Sequence, residues 1–336
     1  MESFEKAFSD KLSNKNVLIT GGAGFIGSHL VDALLKLGNR VVVLDNFNSY
    51  YDPNIKRQNV VEHLKQRQYT LIDGDLRDKA KISEAFSHGP FDSVVHLAGA
   101  AGVRPSIEQP GFYMDVNVNG TQLLLDQSIA KDTGRFVFGS SSSLYGERSE
   151  GEFLETDRVD RPLSPYAASK AAGELQCYAA YHTRGLPVVS LRFFTVYGPR
   201  QRPDLAVHKF CRLIDAGKPL EVYGDGRSKR DYTYIDDTVS GIMSSMIYDL
   251  PGYDIINLGC GRPIELIEMI HIIEKALGKS AKLTHKEFHT ADMPYTYASI
   301  AKAQKVLGYQ PRTAFEDGVK RFVEWYRSSS AITAHS

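Results

Sequence analysis

Cysteine is scarce in this 336-residue chain: Cys177, Cys211 and Cys260 stand far apart, and no CxxC pair occurs. Three scattered thiols make neither a disulfide framework nor a cysteine zinc site, and they suit a reducing compartment such as the cytoplasm. Net charge is missing as well, since forty basic and forty acidic side chains cancel. A balanced chain presents no broad basic face, so neither nucleic acid nor an anionic membrane is expected as a partner. No apolar run is long enough to span a bilayer. Residues 1–14, MESFEKAFSDKLSN, are polar and charged and read as a short N-terminal extension, not a signal peptide. Repeats, low-complexity tracts and flexible linkers are also absent.

What is present is an alternating rhythm. Short β-branched runs at Asn16–Thr20, Val41–Leu44, Tyr69–Ile72, Ser93–Leu97, Arg135–Phe138 and Pro187–Phe193 read as strands. Helical patterns separate them: Phe25–Leu37, with Leu30, Leu34 and Leu37 on one face, then Phe112–Ala130 and Ser164–His182. Apolar strands alternating with helices imply an α/β fold with a doubly wound parallel sheet covered on both faces. After Phe194 the rhythm turns irregular. A helix near Val207–Asp215, a strand near Leu220–Tyr223, a turn at Gly224–Gly226 and a closing helix at Phe315–Tyr326 suggest a smaller mixed lobe. Asp254–Leu258 reads as one more strand of the main sheet. The expected division is 15–194 for the parallel-sheet domain with a return segment at 235–262, and 195–234 with 263–330 for the lobe.

Thr20–Gly27 reads TGGAGFIG, with Gly22, Gly24 and Gly27 in G-x-G-x-x-G spacing between a strand and a helix. Glycine permits the sharp turn and close approach that a pyrophosphate needs, and the helix N-terminus offers it free N–H groups. A glycine pattern alone is weak evidence. Asp45, ending the second strand about 20 residues on, adds the acid that binds adenosine ribose hydroxyls. It would repel a 2′-phosphate, so NAD is favoured over NADP. Asp75 in DGDLRD can reach an adenine edge or be a plain polar loop residue. The small residues of His96–Gly99 (HLAG) let the chain pass close to a cofactor, or simply pack strand on helix.

Tyr166 and Lys170 form Y-x-x-x-K at the start of a helical pattern, and this spacing puts both on one face. The ammonium, helped by a nicotinamide charge, is expected to lower the phenol pKa toward neutrality and make Tyr166 a proton acceptor. The pair is common in isolation. Its meaning comes from lying downstream of the glycine loop and of the serine run Ser140–Ser143, whose hydroxyls can hold the oxygen being oxidised.

At this point the sequence resembles the extended short-chain dehydrogenase/reductase family, and within it the sugar-nucleotide epimerases and dehydratases. The carriers are TGGAGFIG, Asp45, HLAG, Asn117 in NVNGT, SSSSLYG, YAASK, LRFFTVYGP and RDYTYIDD, with weaker similarity through NLGCG, MPYTYAS, LGYQP and FVEWY. The resemblance implies a Rossmann domain with a C-terminal UDP-sugar lobe. It also implies NAD held by Gly21, Gly22, Gly24, Phe25, Ile26, Gly27, Asp45, Asn46, Asp75, Leu76, Leu97, Ala98, Asn117, Tyr166, Lys170 and Phe193. The catalytic residues it implies are Tyr166, Lys170 and Ser141. A homodimer paired through the two long helices, as in many relatives, is implied as well; burial of those helices within one chain is the alternative.

The resemblance then narrows. Related 4,6-dehydratases carry an Asp–Glu pair, and related UDP-xylose synthases a Glu, where this chain has Ser142 and Ser143. Serine cannot serve as a carboxyl acid–base group near neutral pH, so elimination is disfavoured and return of hydride to the opposite face of C4 is favoured. LDNFNSYYDP, AAGVRPS and LRFFTVYGPRQRPD look like UDP-glucuronate 4-epimerases. By that likeness Arg202, Thr195 and Ser143 hold the C6 carboxylate, and they also keep a 4-keto uronate from losing carbon dioxide. Arg104, Ser141, Ser142, Val222, Tyr223, Arg230 and Asp292 complete the expected UDP-sugar contacts, with Arg230 at the diphosphate and Tyr223 beside the uracil. One departure is the stretch His289-Thr290-Ala291-Asp292, where relatives place Arg or Gln before a Gly-Asp pair. His285 and His289 have a zinc-compatible spacing, but no Glu or third ligand accompanies them, and no metal is expected. A UDP-glucose/UDP-galactose 4-epimerase is the nearest alternative. A UDP-sugar decarboxylase or dehydratase, an ordinary dehydrogenase and a non-catalytic NAD-sensing scaffold are more distant ones.

Overall fold

The computed structural model describes residues 10–249, 252–287 and 295–333. Twelve strands alternate with helices in it. They are β1 (Asn16–Thr20), β2 (Arg40–Asp45), β3 (Tyr69–Asp73), β4 (Ser93–His96), β5 (Phe136–Ser141), β6 (Val188–Phe193), β7 (Thr195–Tyr197), β8 (Pro219–Tyr223), β9 (Lys229–Tyr234), β10 (Tyr253–Leu258), β11 (Pro263–Glu265) and β12 (Lys282–Lys286).

Seven of them build one sheet in the order β10-β6-β5-β4-β1-β2-β3, and every pairing in it is parallel. Strand order reverses beside β1, whose neighbours are β2 and β4, and the carboxyl ends of the strands open a crevice there. β10 lies against β6 with Ile256 opposite Leu191, so the chain does return to the main sheet late.

The strands are apolar on both faces because helices cover both. Val17, Leu18 and Ile19 of β1 are fully buried. The helix Phe25–Lys36 turns Leu30, Val31 and Leu34 onto the sheet, each such burial contributing roughly 1.5–3 kcal/mol. Beyond Phe194 the chain leaves the main sheet. β7 pairs in parallel with β9, and β11 adds to β9 antiparallel. β8 and β12 form a separate parallel pair.

The expected single helix Phe112–Ala130 needs correction. The segment starts at Pro110, and Asp115–Asn119 is wound wider, as a π turn, before the regular helix Gly120–Ala130. The wider turn carries Asn117 inward, to 3% exposure, and such turns commonly mark functional sites. The small strands β7, β9, β11 and β12 have no alternating pattern long enough to announce them. Among the described residues no helix is long and apolar enough to cross a membrane.

Candidate functional site

The glycine loop is shaped by what each glycine lacks. Gly21 has φ +74° and donates its N–H to Leu44 O at 2.8 Å, tying the exit of β1 to β2. A Cβ on Gly22 would stand 2.5 Å from Val43 Cγ2, and one on Gly27 would stand 2.2 Å from Gly21 O. At Gly24 a Cβ would meet only Gly21 O, at 3.2 Å, so that side of the loop is open. Gly24 precedes the helix in extended geometry, and no side chain caps the helix start. These features make an open cradle at a helix N-terminus, which fits a dinucleotide pyrophosphate.

Asp45 is buried at the end of β2 and accepts from Ala23 N at 3.1 Å and Phe47 N at 2.9 Å. Burial raises its pKa, with those N–H groups and Lys56 pulling the other way. Asp75 sits in an exposed cluster, gripped by Arg77 Nε at 2.9 Å and Nη2 at 3.0 Å and by Asn46 Nδ2 at 2.8 Å. The Arg77 hydrogen bonds take its carboxyl down to about 2. Both carboxylate oxygens are therefore engaged, and Asp75 anchors this corner of the site. Leu76 is buried where Gly120 leaves room for it. Phe25 is buried, and Ile26, Leu97, Ala98 and Phe193 are half-buried around the crevice.

His96 closes the floor. Its ring nitrogens lie 2.7 Å from Thr20 Oγ1 and 2.9 Å from Thr121 Oγ1. Burial pushes the imidazole down to about 3, so it is neutral. Asn117 bridges the neighbouring loop to the next helix. It accepts from Ala100 N at 2.7 Å and donates to Ala100 O at 3.0 Å and Ser169 Oγ at 2.9 Å.

The helix Pro165–Arg184 begins with Ser164, which accepts from Ala167 N, followed by Pro165. Tyr166 therefore stands in the first turn, with Lys170 and Glu174 below it on the same face. Ser143 donates to Ser141 Oγ at 2.9 Å through its hydroxyl and at 3.2 Å through its backbone N–H. Ser141 stands near enough to the Tyr166 phenol to pull its pKa down. The serine run thus sets a bonded pair of hydroxyls beside Tyr166.

In the protein alone, Lys170 is not among the groups that pull the Tyr166 phenol down. Burial holds the phenol above its ordinary value, and the groups that pull it down are Ser141 and Arg202. The Lys170 ammonium donates instead to Gly139 O at 2.7 Å and lies over the Phe138 ring. Burial takes Lys170 itself down to about 8.

Among the expected substrate contacts, Arg202 forms a two-pronged pair with Asp204, Nε to Oδ1 at 2.9 Å and Nη2 to Oδ2 at 2.7 Å. Its guanidinium stands over the Tyr50 ring at 5.1 Å. The Tyr113 ring packs edge-on against Tyr166, centroids 6.3 Å apart. Arg104 lies over the Tyr223 ring at 5.1 Å, which brings two of the expected UDP contacts together from distant segments. Thr195 opens β7, half-buried, and Ser142 is half-buried behind Ser141. Arg230 lies on β9 and donates to Lys229 O at 3.2 Å. Val222 is fully buried in β8, so its side chain belongs to the core and only its backbone is left for a ligand. Asp292, with His289, Thr290 and Ala291, lies outside the described residues. Among the described residues no group of His, Cys, Asp and Glu side chains is placed to hold a metal ion.

Several residues of this region carry no local signal. Glu174 receives Ser140 Oγ at 2.6 Å and both prongs of Arg192, Nε at 2.9 Å and Nη2 at 2.7 Å. That buried pair locks the serine end of β5 to the catalytic helix and to β6. Its one sequence clue is that Glu174 continues the four-residue spacing of Tyr166 and Lys170. Tyr50, Asp204 and Tyr113 are likewise visible only in three dimensions.

Comparison with known proteins agrees with this geometry. The GDP-mannose 4,6 dehydratase family model matches residues 18–322. A UDP-glucuronate 4-epimerase of Thermodesulfobacterium geofontis is 41% identical over 315 residues, covering 93% of this chain and 96% of the relative. UDP-glucuronate 4-epimerase 1 of Arabidopsis thaliana is 42% identical over 332 residues, covering 93% and 77%. Among solved structures, the UDP-glucuronic acid 4-epimerase of Bacillus cereus, in complex with UDP-glucuronic acid and NAD, superimposes with a TM-score of 0.88. It is 34% identical and covers 94% of this chain and 99% of its own.

Proposed function

Because the chain belongs to the GDP-mannose 4,6 dehydratase family, and within it to the epimerase branch of the extended short-chain dehydrogenase/reductases, we propose that it interconverts UDP-glucuronate and UDP-galacturonate by inverting C4. The observation that carries this reading is the set of groups around Tyr166: a bonded pair of serine hydroxyls, the Tyr113 ring and Arg202. A dehydratase would need a carboxylic acid beside the serine run, and positions 142 and 143 hold serines.

In this reading Tyr166 accepts the proton of the C4 hydroxyl, and Ser141 holds the same oxygen. The Gly24 cradle would hold NAD, which would supply the hydride acceptor and donor for C4. Return of hydride to the opposite face of the 4-keto sugar inverts the centre, and Tyr166 then returns its proton to the new hydroxyl. Lys170 holds its charge at the foot of Tyr166 and fixes the helix to Gly139. Arg202, with Thr195 and Ser143, receives the C6 carboxylate, and Arg104, Tyr223 and Arg230 frame the UDP group.

The test is incubation with UDP-glucuronate, UDP-glucose and UDP-xylose in separate tubes without added NAD, following the sugar protons by NMR. Inversion of UDP-glucuronate in preference to the other two supports the reading. A preference for UDP-glucose would make the enzyme a neutral-sugar epimerase, and no inversion of any of them would sink both.

We read the chain as a cytoplasmic homodimer. The thiols Cys177, Cys211 and Cys260 are all free, which suits a reducing setting. Gln176 ties the helix Pro165–Arg184 to the 110–130 segment, and Leu175 and Tyr178 stand 72% and 49% exposed on its outer side. Two large apolar side chains left in water on one helix favour a partner. Light scattering should give twice the chain mass, and Leu175→Glu should halve it; a monomeric wild type excludes the dimer.

A further inference from the structure

The pair that holds Arg202 does more than neutralise it. A guanidinium has two edges that can each grip a carboxylate: the Nε/Nη2 edge and the Nη1/Nη2 edge. Asp204 occupies the first, at 2.9 and 2.7 Å. Tyr50 lies under the guanidinium and also donates its hydroxyl to Asp204 Oδ2 at 3.3 Å. Tyr50 can sit there because residue 102 is glycine, at φ +106°, where a Cβ would stand 2.6 Å from the Tyr50 hydroxyl. The plane of the guanidinium is therefore fixed by a two-pronged bond on one edge and a ring on one face. Only the Nη1/Nη2 edge is left for a second carboxylate.

We propose that Asp204, seated against Tyr50, is the positioning residue that sets the orientation of the substrate's C6 carboxylate and thereby keeps the 4-keto uronate from losing carbon dioxide. The proposal rests on the functional reading above, in which Arg202 receives that carboxylate. Decarboxylation breaks the C5–C6 bond. The bonding pair passes into the C4 carbonyl to give an enolate, carbon dioxide leaves, and C5 takes up a proton. The step needs the C5–C6 bond aligned with the carbonyl π system, and a carboxylate docked on one fixed edge in one plane is held from turning into that alignment. Asp204 has a second effect, because its negative charge offsets that of Arg202. Its removal should therefore leave attraction for the uronate undiminished while loosening its orientation.

The test uses the full chain with Asp204→Ala and Asp204→Asn. UDP-galacturonate, UDP-4-keto-pentose and carbon dioxide are quantified from UDP-glucuronate, and the affinity for UDP alone is measured by calorimetry. For Asp204→Ala we expect the epimerisation kcat to fall on the order of tenfold, with KM at or below the wild-type value. The fraction of turnovers ending in carbon dioxide should rise by about the same factor. Asp204→Asn, which keeps one acceptor for the guanidinium, should fall between. Unchanged kcat and product partition overturn the proposal. So does a KM that rises together with a loss of UDP affinity, which is the signature of a disordered loop. A wild type that leaves UDP-glucuronate unconverted overturns the functional reading itself, whereas conversion by the wild type with an unaltered variant overturns the role of Asp204 alone.

Discussion

The Lys170 ammonium donates to the Gly139 carbonyl at 2.7 Å, so the lysine of the Y-x-x-x-K pair is bonded to the sheet beneath the serine run. Tyr166 is left to be tuned by Ser141 and Arg202, while burial keeps its phenol protonated at neutral pH in the protein alone. Tyr166→Phe removes the proton acceptor and keeps the ring against Tyr113. Turnover of UDP-glucuronate should drop about 10²–10⁴-fold, with UDP affinity unchanged by calorimetry. A variant retaining more than a tenth of wild-type turnover would remove Tyr166 from the chemistry.

Lys170 gives a pH dependence with opposite signs for activity and stability. Burial lowers its pKa from 10.5 to about 8 in the folded chain. Between those values the unfolded chain binds the extra proton, so this group's contribution to stability rises with pH across that window. The charged form that grips Gly139 is lost over the same range, so kcat should fall on an alkaline limb near pH 8. A rate profile flat to pH 10 would show that the site does not use this charge.

Glu174 and Arg192 are 5% and 2% exposed and hold each other through two bonds. Glu174→Ala strands the Arg192 guanidinium and releases Ser140, which should cost about 3–5 kcal/mol in urea unfolding. Glu174→Gln keeps the shape and one acceptor and should cost less. A loss below about 1 kcal/mol for the alanine variant would contradict a buried ion pair here.

Much of this site was legible because its signals are local. Glycines 22, 24 and 27 need only one strand, one turn and one helix to acquire meaning, and Asp45 follows at the end of the next strand. The spacing of Tyr166 and Lys170 needs only one helix. What escaped depends on residues brought together by the fold. Tyr50 and Asp204 meet across 154 positions, and Arg104 meets Tyr223 between separate segments. The wide turn at Asp115–Asn119 escaped because apolar periodicity registers the existence of a helix better than one extra residue in a turn. The partner of Lys170 escaped for a different reason. Spacing along a helix places the ammonium near Tyr166 but does not name its bonding partner, which is a backbone carbonyl supplied by β5.

The glycines separate fold from cofactor binding. Gly27→Ala drives a Cβ to 2.2 Å from Gly21 O, so the loop must move. A stability loss of about 1–3 kcal/mol and weakened NAD binding should appear together. Gly24→Ala meets only Gly21 O at 3.2 Å, so its melting temperature without cofactor should stay near wild type while the shift produced by added NAD shrinks. Equal behaviour of the two variants would mean that the open side of Gly24 is not the cradle.

The central claim is that C4 loses its hydride and regains the same one on the opposite face. The most direct measurement uses UDP-glucuronate deuterated at C4, incubated in ordinary water without added NAD, with the UDP-galacturonate product analysed by NMR and mass spectrometry. The account predicts that the product keeps the deuterium at C4 in inverted configuration. Deuterium washed out to solvent, or no inversion at all, would contradict it.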